Sequence, residues 1–203
     1  MNHNIYTKEI DDWTITWESA GEYRLWCKQE HKSNTETALV VMLNPGSLSG
    51  SGENIKKDTT LRILREIFED TGYNPFIINL FTLATPKPEL LFDNWNARDI
   101  PNYSIANLPT NDFSAVMYAY GAYELKKKYS EYSQDILQRI NLIRDHYSSL
   151  PEINVPKAKT NTPKHPMRIQ IEGLKDEFKS LISKSYKANK AFKRDAKQHA
   201  PLN

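Results

Sequence analysis

Four short segments of the chain carry side chains that could act together on one ligand. Asn44 follows an apolar run, Asn79 lies within a second, Tyr120-Gly121 closes a third, and His165 lies in a proline-rich stretch. Amides donate and accept hydrogen bonds at once, as a neutral imidazole does. Such groups suit the recognition of a planar polar ligand and the stabilisation of charge that develops on it.

The stretch ALVVMLNPGSLSGS, residues 38–51, is the most informative of these segments. An apolar run of strand type stops at Asn44-Pro45-Gly46. Proline fixes φ, and glycine lets a ligand approach the backbone closely. Because ligands of α/β proteins bind outside the carboxyl ends of strands, the sequence predicts a binding crevice here. A Pro-Gly turn after a core strand explains the same residues.

Hydrophobic patterning predicts the elements that position these side chains. Alternation over 13–17 and 23–27 predicts an N-terminal hairpin, and Lys28–Thr37 is expected to be a loop. Continuous apolar runs predict three buried strands, at residues 38–43, 76–80 and 115–120. Helical periodicity predicts three helices, over residues 58–72, 124–147 and 169–192. Strands alternating with helices predict a three-layer α/β/α fold with a mainly parallel central sheet.

The charge of the chain is unevenly distributed. The formal net charge is +2, but residues 179–199 alone carry +6, which leaves the rest at −4. We therefore expect one α/β domain over residues 1–178 and a basic C-terminal helix or tail over 179–203. A basic tail favours a polyanionic partner, although a solvated tail has the same composition.

Composition excludes several classes of protein. Cys27 is the only cysteine, so neither an intramolecular disulfide nor a cysteine metal cluster can form. The sequence contains no phosphate-binding glycine loop, metalloprotease helix or nucleophile elbow. The first residues lack the apolar core of a signal peptide, and no apolar run approaches transmembrane length. We expect a cytoplasmic monomer without a metal, a cofactor or membrane contact.

Four segments, in order over residues 38–168, resemble the motifs of the uracil-DNA glycosylase superfamily. LNPGSLSG is similar to its first motif, in the Asn-Pro-Gly form of the mismatch-type enzymes, and FIINLFTLAT is similar to its Leu-Leu-Asn-x-x-Leu-Thr strand. VMYAYGAYELKK resembles its strand ending in Trp-Gly-x-x-Ala, and KHPMR lies where its His-Pro-Ser loop would be. The resemblance implies the glycosylase-type α/β fold.

A closer resemblance, over residues 22–168, is to a bacterial and phage family known as domain of unknown function 1643. Six segments carry it: EYRLW at 22–26, MLNPG at 42–46, DTT at 58–60, NLFTLAT at 79–85, YG at 120–121 and HP at 165–166. Membership of this family does not itself define a function.

The glycosylase resemblance implies hydrolysis of the N-glycosidic bond of a flipped base in nucleic acid, DNA rather than RNA. Asn44 would position the attacking water, His165 would donate to the departing base, and Asn79 would hydrogen-bond a pyrimidine edge. Further residues are expected at the base site, namely Pro45, Gly46, Asp58, Tyr120 and Gly121. Others are expected to contact the backbone, with Lys157, Lys159, Lys164 and Arg168 on phosphates and Met167 as an apolar wedge.

Two alternatives stay open. Residues 47–60 contain no aromatic side chain to stack on a base. That absence favours a non-catalytic nucleic-acid- or nucleotide-binding protein on the same fold. An enzyme that acts on a free nucleoside or a small metabolite is the other alternative. Asp58 likewise has two explanations, as a general base for water or as the N-cap of the helix that follows it.

Overall fold

The computed structural model describes residues 2–46, 58–104, 108–110, 112–157, 163–166 and 171–180. Its strands are β1 (Asn4–Ile10), β2 (Trp13–Ala20), β3 (Tyr23–His31), β4 (Glu36–Met42), β5 (Tyr73–Asn79) and β6 (Ala115–Tyr118). Its α-helices are α1 (Thr59–Phe68), α2 (Pro88–Asp93), α3 (Ser133–His146) and α4 (171–180). Three short 3-10 helices cover Trp95–Ala97, Tyr123–Leu125 and Lys127–Tyr132.

The six strands form one mixed sheet in the order β1-β2-β3-β5-β4-β6. The β1–β2, β2–β3 and β3–β5 pairs are antiparallel, whereas β4 pairs in parallel with both β5 and β6. The prediction of a mainly parallel sheet is therefore wrong, although the chain is α/β overall. The predicted hairpin is the cause, because β3 joins the edge of β5, with Cys27 opposite Ile77, and adds antiparallel strands to the sheet.

The predicted helix over 124–147 is also interrupted. Only Ser133–His146 is α-helical, and the preceding residues form two 3-10 helices. Tyr129 departs from helical geometry with φ −119°, and the Ser133 hydroxyl donates to the carbonyl oxygen of Glu124 at 2.6 Å. Periodicity did not detect this break, because Leu125 and Tyr129 still fall at helical spacing in the sequence.

Helices cover both faces of the sheet. One core contains the apolar side of α1, with Leu64 and Phe68, together with Leu174 and Phe178 of α4. The other contains residues of α2 and α3. Alternate residues of β4 enter opposite cores, so this strand is buried on both faces, as its apolar run predicts.

Helix α1 begins as the sequence predicts. Asp58 is its N-cap, and its Oδ1 accepts a hydrogen bond of 3.0 Å from the backbone N–H of Leu61. A capping carboxylate satisfies one of the free N–H groups at the helix start and interacts favourably with the helix dipole. The amino end of α1 is thereby fixed beside the carboxyl end of β4.

No helix within the described ranges is long and apolar enough to cross a membrane. Residues 181–203, which hold most of the predicted basic tail, lie outside those ranges. Lys159, Met167 and Arg168 lie outside them too, so their predicted contacts with nucleic acid stay predictions.

We expect Phe178→Ala to lower the free energy of unfolding by about 3–5 kcal/mol, as the loss of a buried ring does. The Phe178 ring lies 4.5 Å from that of Phe68 and 5.3 Å from that of Tyr73, between centroids. Urea unfolding measures the loss. Lys179→Ala, at the exposed neighbouring position, is the control and should change stability by less than about 0.5 kcal/mol. Equal effects of the two changes would contradict the packing of α4 on this core.

Candidate functional site

A cavity of about 380 Å³ opens beside the carboxyl end of β4 and the amino end of α1. This volume lies in the range of small-molecule sites. Its lining combines polar, charged and apolar groups: Arg24, Met42, Leu43, Asn44, Gly46, Asp58, Thr60, Leu61, Thr85, Pro86, Pro88, Gly121, Ala122, Tyr123, Lys126, Pro163, Lys164 and His165.

The amide of Asn44 is held in one orientation by hydrogen bonds. Its Nδ2 donates to the carbonyl oxygen of Pro45 at 2.7 Å and to Oγ1 of Thr85 at 2.8 Å. The Thr85 hydroxyl donates in turn to the carbonyl oxygen of Lys87 at 3.0 Å. Because a carbonyl can only accept, these contacts place the amide nitrogen towards Thr85. They leave Oδ1 as the half of the amide with no partner among the described residues.

Asp58 lines the same cavity and carries a carboxylate oxygen without a hydrogen-bond partner among the described residues. Its Oδ1 caps α1, but its Oδ2 is buried and has no hydrogen-bond partner among the described residues. A Cβ atom at Gly46 would lie only 3.0 Å from this Oδ2, so the glycine permits the close approach. The N-cap explanation for Asp58 is thus confirmed by Oδ1, and the general-base explanation stays a prediction for a residue that lines the cavity.

The floor of the cavity contains a buried charge. Arg24, from the start of β3, is only 2% exposed. It lies close to Cys27, whose pKa burial raises to about 11, with Asp58 adding to the rise and Arg24 opposing it. Because burial disfavours the thiolate, Cys27 is an apolar core residue rather than a nucleophile.

Three more ionisable groups border the cavity. Lys126 follows the 3-10 helix Tyr123–Leu125, and its Nζ lies 3.4 Å from the centroid of the Tyr123 ring. Lys164 and His165 come from the proline-rich segment. A β-bridge between Lys157 and Pro163 holds that segment, as does a 3.2 Å hydrogen bond from Lys164 N to Pro156 O. The cavity therefore combines an imidazole and several cations with the Asp58 carboxylate.

Asn79 lies at the carboxyl end of β5, as predicted, but it does not line the cavity. It is 2% exposed, and neither its Oδ1 nor its Nδ2 has a hydrogen-bond partner among the described residues. Its strand lies between β3 and β4, which supply Arg24 and Met42 to the lining. A buried amide without partners costs about 1–3 kcal/mol, and a ligand or a water that reached it would recover that cost.

Several other predicted residues are placed apart from the cavity. Tyr120 is buried in the core on the α3 face of the sheet, where it hydrogen-bonds to Arg144. Gly121 lines the cavity but Tyr120 does not, because the chain leaves β6 after Tyr118 and turns at Gly121, where φ is +79°, so the prediction that Tyr120 contacts a ligand there does not fit. Pro45 is buried, and its carbonyl oxygen accepts from Thr85 N at 3.0 Å. Lys157 is exposed outside the lining.

Sequence patterning missed several lining residues, among them Arg24, Thr85, Tyr123 and Lys126. The signal for the first two was present, since they lie in the EYRLW and NLFTLAT segments. An arginine in an alternating strand ordinarily faces solvent, so its burial could not be inferred from the pattern. Tyr123 supplies an aromatic ring that residues 47–60 lack, from the connection between the predicted strand 115–120 and the predicted helix 124–147.

Each of the six segments that resemble the family of unknown function contributes to this cavity. The contributions are Arg24 from EYRLW, Asn44 and Gly46 among others from MLNPG, Asp58 and Thr60 from DTT, Thr85 from NLFTLAT, Gly121 from YG and His165 from HP. Segments spread over more than 140 positions thus meet at one place. This convergence identifies the cavity as the candidate functional site of an α/β protein.

Comparison with known proteins defines the family. A family model described as "Protein of unknown function (DUF1643)" matches residues 23–167, and the chain belongs to that family. The resemblance seen in the six segments is thereby confirmed. No curated protein and no solved structure matches the chain, so the relationship to uracil-DNA glycosylases stays a prediction.

The part of the chain that the structure describes contains no group of three or more His, Cys, Asp or Glu side chains placed to hold a metal ion. Asp58 and His165 are the two such residues in the lining.

We expect Thr85→Val to destabilise the fold by about 1–3 kcal/mol, because the Nδ2 of Asn44 and the carbonyl oxygen of Lys87 both lose a partner. Thr85→Ser keeps the hydroxyl and should recover most of the loss. Urea unfolding of the two variants beside the wild type gives both values. If serine and valine behaved alike, the hydroxyl would not be what holds the Asn44 amide.

Proposed function

We propose that the protein hydrolyses the N-glycosidic bond of a nucleobase that enters this cavity. The observation that carries the proposal is the presence of Asn44, Asp58 and His165 on one lining. Such hydrolysis needs a held and activated water on one side of the sugar carbon, and a donor to the departing base on the other. These three side chains are of the types that such a reaction requires.

Asn44 and Asp58 support the water-activating half of the proposal. The amide orientation leaves Asn44 Oδ1 as an acceptor, and Asp58 Oδ2 is a second acceptor that other described groups do not use. A water donating to both would be held with a lone pair free for attack. As the water oxygen bonds to the sugar carbon, its proton passes to the Asp58 carboxylate. Asn44 orients the water but cannot take the proton, so the carboxylate is the general base.

His165 supports the leaving-group half. A neutral imidazole can donate a hydrogen bond to the base oxygen on which negative charge develops as the bond to the sugar breaks. Arg24 and the two lining lysines add positive potential to the same cavity, and so favour the anionic base over the neutral one. The departing base finally acquires a proton from solvent or from the site.

The size and walls of the cavity support a nucleotide-sized ligand. The Tyr123 ring offers a surface against which a base can stack, worth about 1–3 kcal/mol in comparable sites. The amide of Asn79, which has no hydrogen-bond partner among the described residues, offers both a donor and an acceptor for the edge of a pyrimidine. For Asn79 to contact the base, the cavity has to deepen towards β5 when the ligand binds.

The test is the formation of abasic sites. Labelled single- and double-stranded DNA carrying uracil, thymine mismatches or hypoxanthine is incubated with the protein and then cleaved with alkali. We expect strand breaks with the wild type, and a loss of about 10²–10³-fold in rate for His165→Ala, the usual effect of removing a donor to developing charge. Asn44→Ala should also lose activity.

Asp58→Asn is the most informative variant, because asparagine caps a helix about as well as aspartate. Helix α1 should therefore stay intact, as thermal unfolding would show. The rate should still fall by about 10²–10⁴-fold because the general base is gone. If no DNA gave breaks while salt-sensitive binding persisted, hydrolysis would be contradicted. The non-catalytic nucleic-acid-binding alternative would then be favoured.

A further inference from the structure

A short exposed segment beside the cavity consists of three lysines and a leucine. It comprises Leu125, Lys126, Lys127 and Lys128, which we call the 125–128 ridge. All four residues are exposed, and Leu125 is an exposed large apolar residue at 53%. Lys126 also lines the cavity, so the ridge continues directly into its wall.

Aromatic rings order two of the ridge cations. The Nζ of Lys126 lies 3.4 Å from the Tyr123 ring centroid, and that of Lys128 lies 5.2 Å from the Tyr129 ring centroid. Tyr129 is itself buried and donates from its hydroxyl to Glu89 Oε1 at 3.3 Å. A cation held over an anchored ring loses less freedom when it binds an anion than a free lysine does.

The carboxylate of Glu89 lies near two of the ridge lysines. Its pKa is lowered first by a backbone hydrogen bond and further by Tyr129, Lys128 and Lys126. Burial raises the pKa of Glu124, whose side chain is buried rather than exposed with the ridge. Lys164 adds a further cation to the cavity lining from a separate segment of the chain.

We propose that the 125–128 ridge binds the backbone of a nucleic-acid strand as it passes the opening of the cavity, while one nucleotide of that strand occupies the cavity. The identity of that nucleotide as substrate rests on the proposed function, whereas binding by the ridge does not. Lysines neutralise phosphates, and an exposed apolar side chain beside an aromatic ring gives the bases a surface to contact. An acidic peptide or a sulfated polysaccharide would use the charges but not the apolar surface.

The experiment measures binding of a fluorescent single-stranded oligonucleotide without damaged bases, by anisotropy, between 50 and 200 mM salt. Lys127→Ala/Lys128→Ala removes two ridge charges that do not line the cavity. If both contact phosphates, the slope of log affinity against log salt should become shallower by about 1.4. The ratio of the wild-type affinity to the variant affinity should then fall by about sevenfold between 50 and 200 mM salt.

Lys8→Ala/Lys32→Ala is the matched control, since it removes the same charge from β1 and from the turn after β3, at the far edge and far end of the sheet. We expect the control to bind as the wild type does. A slope unchanged in the ridge variant, or an equal change in the control, would overturn the proposal. Competition by polyglutamate as strong as that by unlabelled oligonucleotide would overturn it as well.

The experiments distinguish an error in the proposal for the ridge from an error in the proposed function. Base release from free nucleosides without salt-sensitive binding of the oligonucleotide would overturn the ridge and leave hydrolysis intact. Ridge-dependent binding without abasic sites on any DNA would support the ridge and contradict hydrolysis.

Discussion

The site depends on the pairing of β4 with a parallel neighbour on each side. Met42 lies opposite Asn79 of β5, and Val41 lies opposite Tyr118 of β6, so the three strands end at nearly the same level. The pairing with β5 continues past the strand end, through hydrogen bonds from Leu80 N to Met42 O at 2.8 Å and from Phe81 N to Leu43 O at 3.0 Å. Loops that leave this edge, together with the first turn of α1, are therefore brought to one place although they are far apart in sequence. A shift of β4 by one residue would exchange its two buried faces and separate Asn44 from Asp58.

Asp58 links the stability of the fold to the chemistry of the site. One of its carboxylate oxygens caps α1, the other is buried without a hydrogen-bond partner among the described residues, and the residue lines the cavity. The cost of leaving one buried oxygen without a partner is thus offset in part by the capping bond, and a ligand that donates to that oxygen would recover the remainder.

Features that depend on a single helix or strand were predicted well from the sequence. Features that depend on how helices and strands contact one another were predicted poorly. The buried β4 and β5 runs, the hairpin and the capped helix α1 were all visible, because burial and capping leave local patterns. The direction of strand pairing was not visible, since alternation in β3 does not specify that it joins β5. Strand β1 was missed because its residues are mostly polar and exposed, with Tyr6 contributing a ring stacked 5.5 Å from that of Trp17.

In the site, Asn44, Asp58, Gly121 and His165 were predicted to lie together and do line one cavity. The burial of Arg24 and the exclusion of Tyr120 follow from tertiary packing that no pattern of one element encodes.

The rate at which Cys27 is chemically modified reports how often the protein core opens. The thiol is fully buried in the core on which α1 and α4 pack, and burial raises its pKa to about 11, so that it stays protonated at neutral pH. Alkylating reagents and oxidants act on the thiolate, so in the native state this sulfur is shielded both sterically and electrostatically. Modification at neutral pH therefore requires an opening of the core that α1 and α4 form on this face of the sheet, and its rate measures how often that core opens. This native cysteine thus reports the opening of that core without an engineered label.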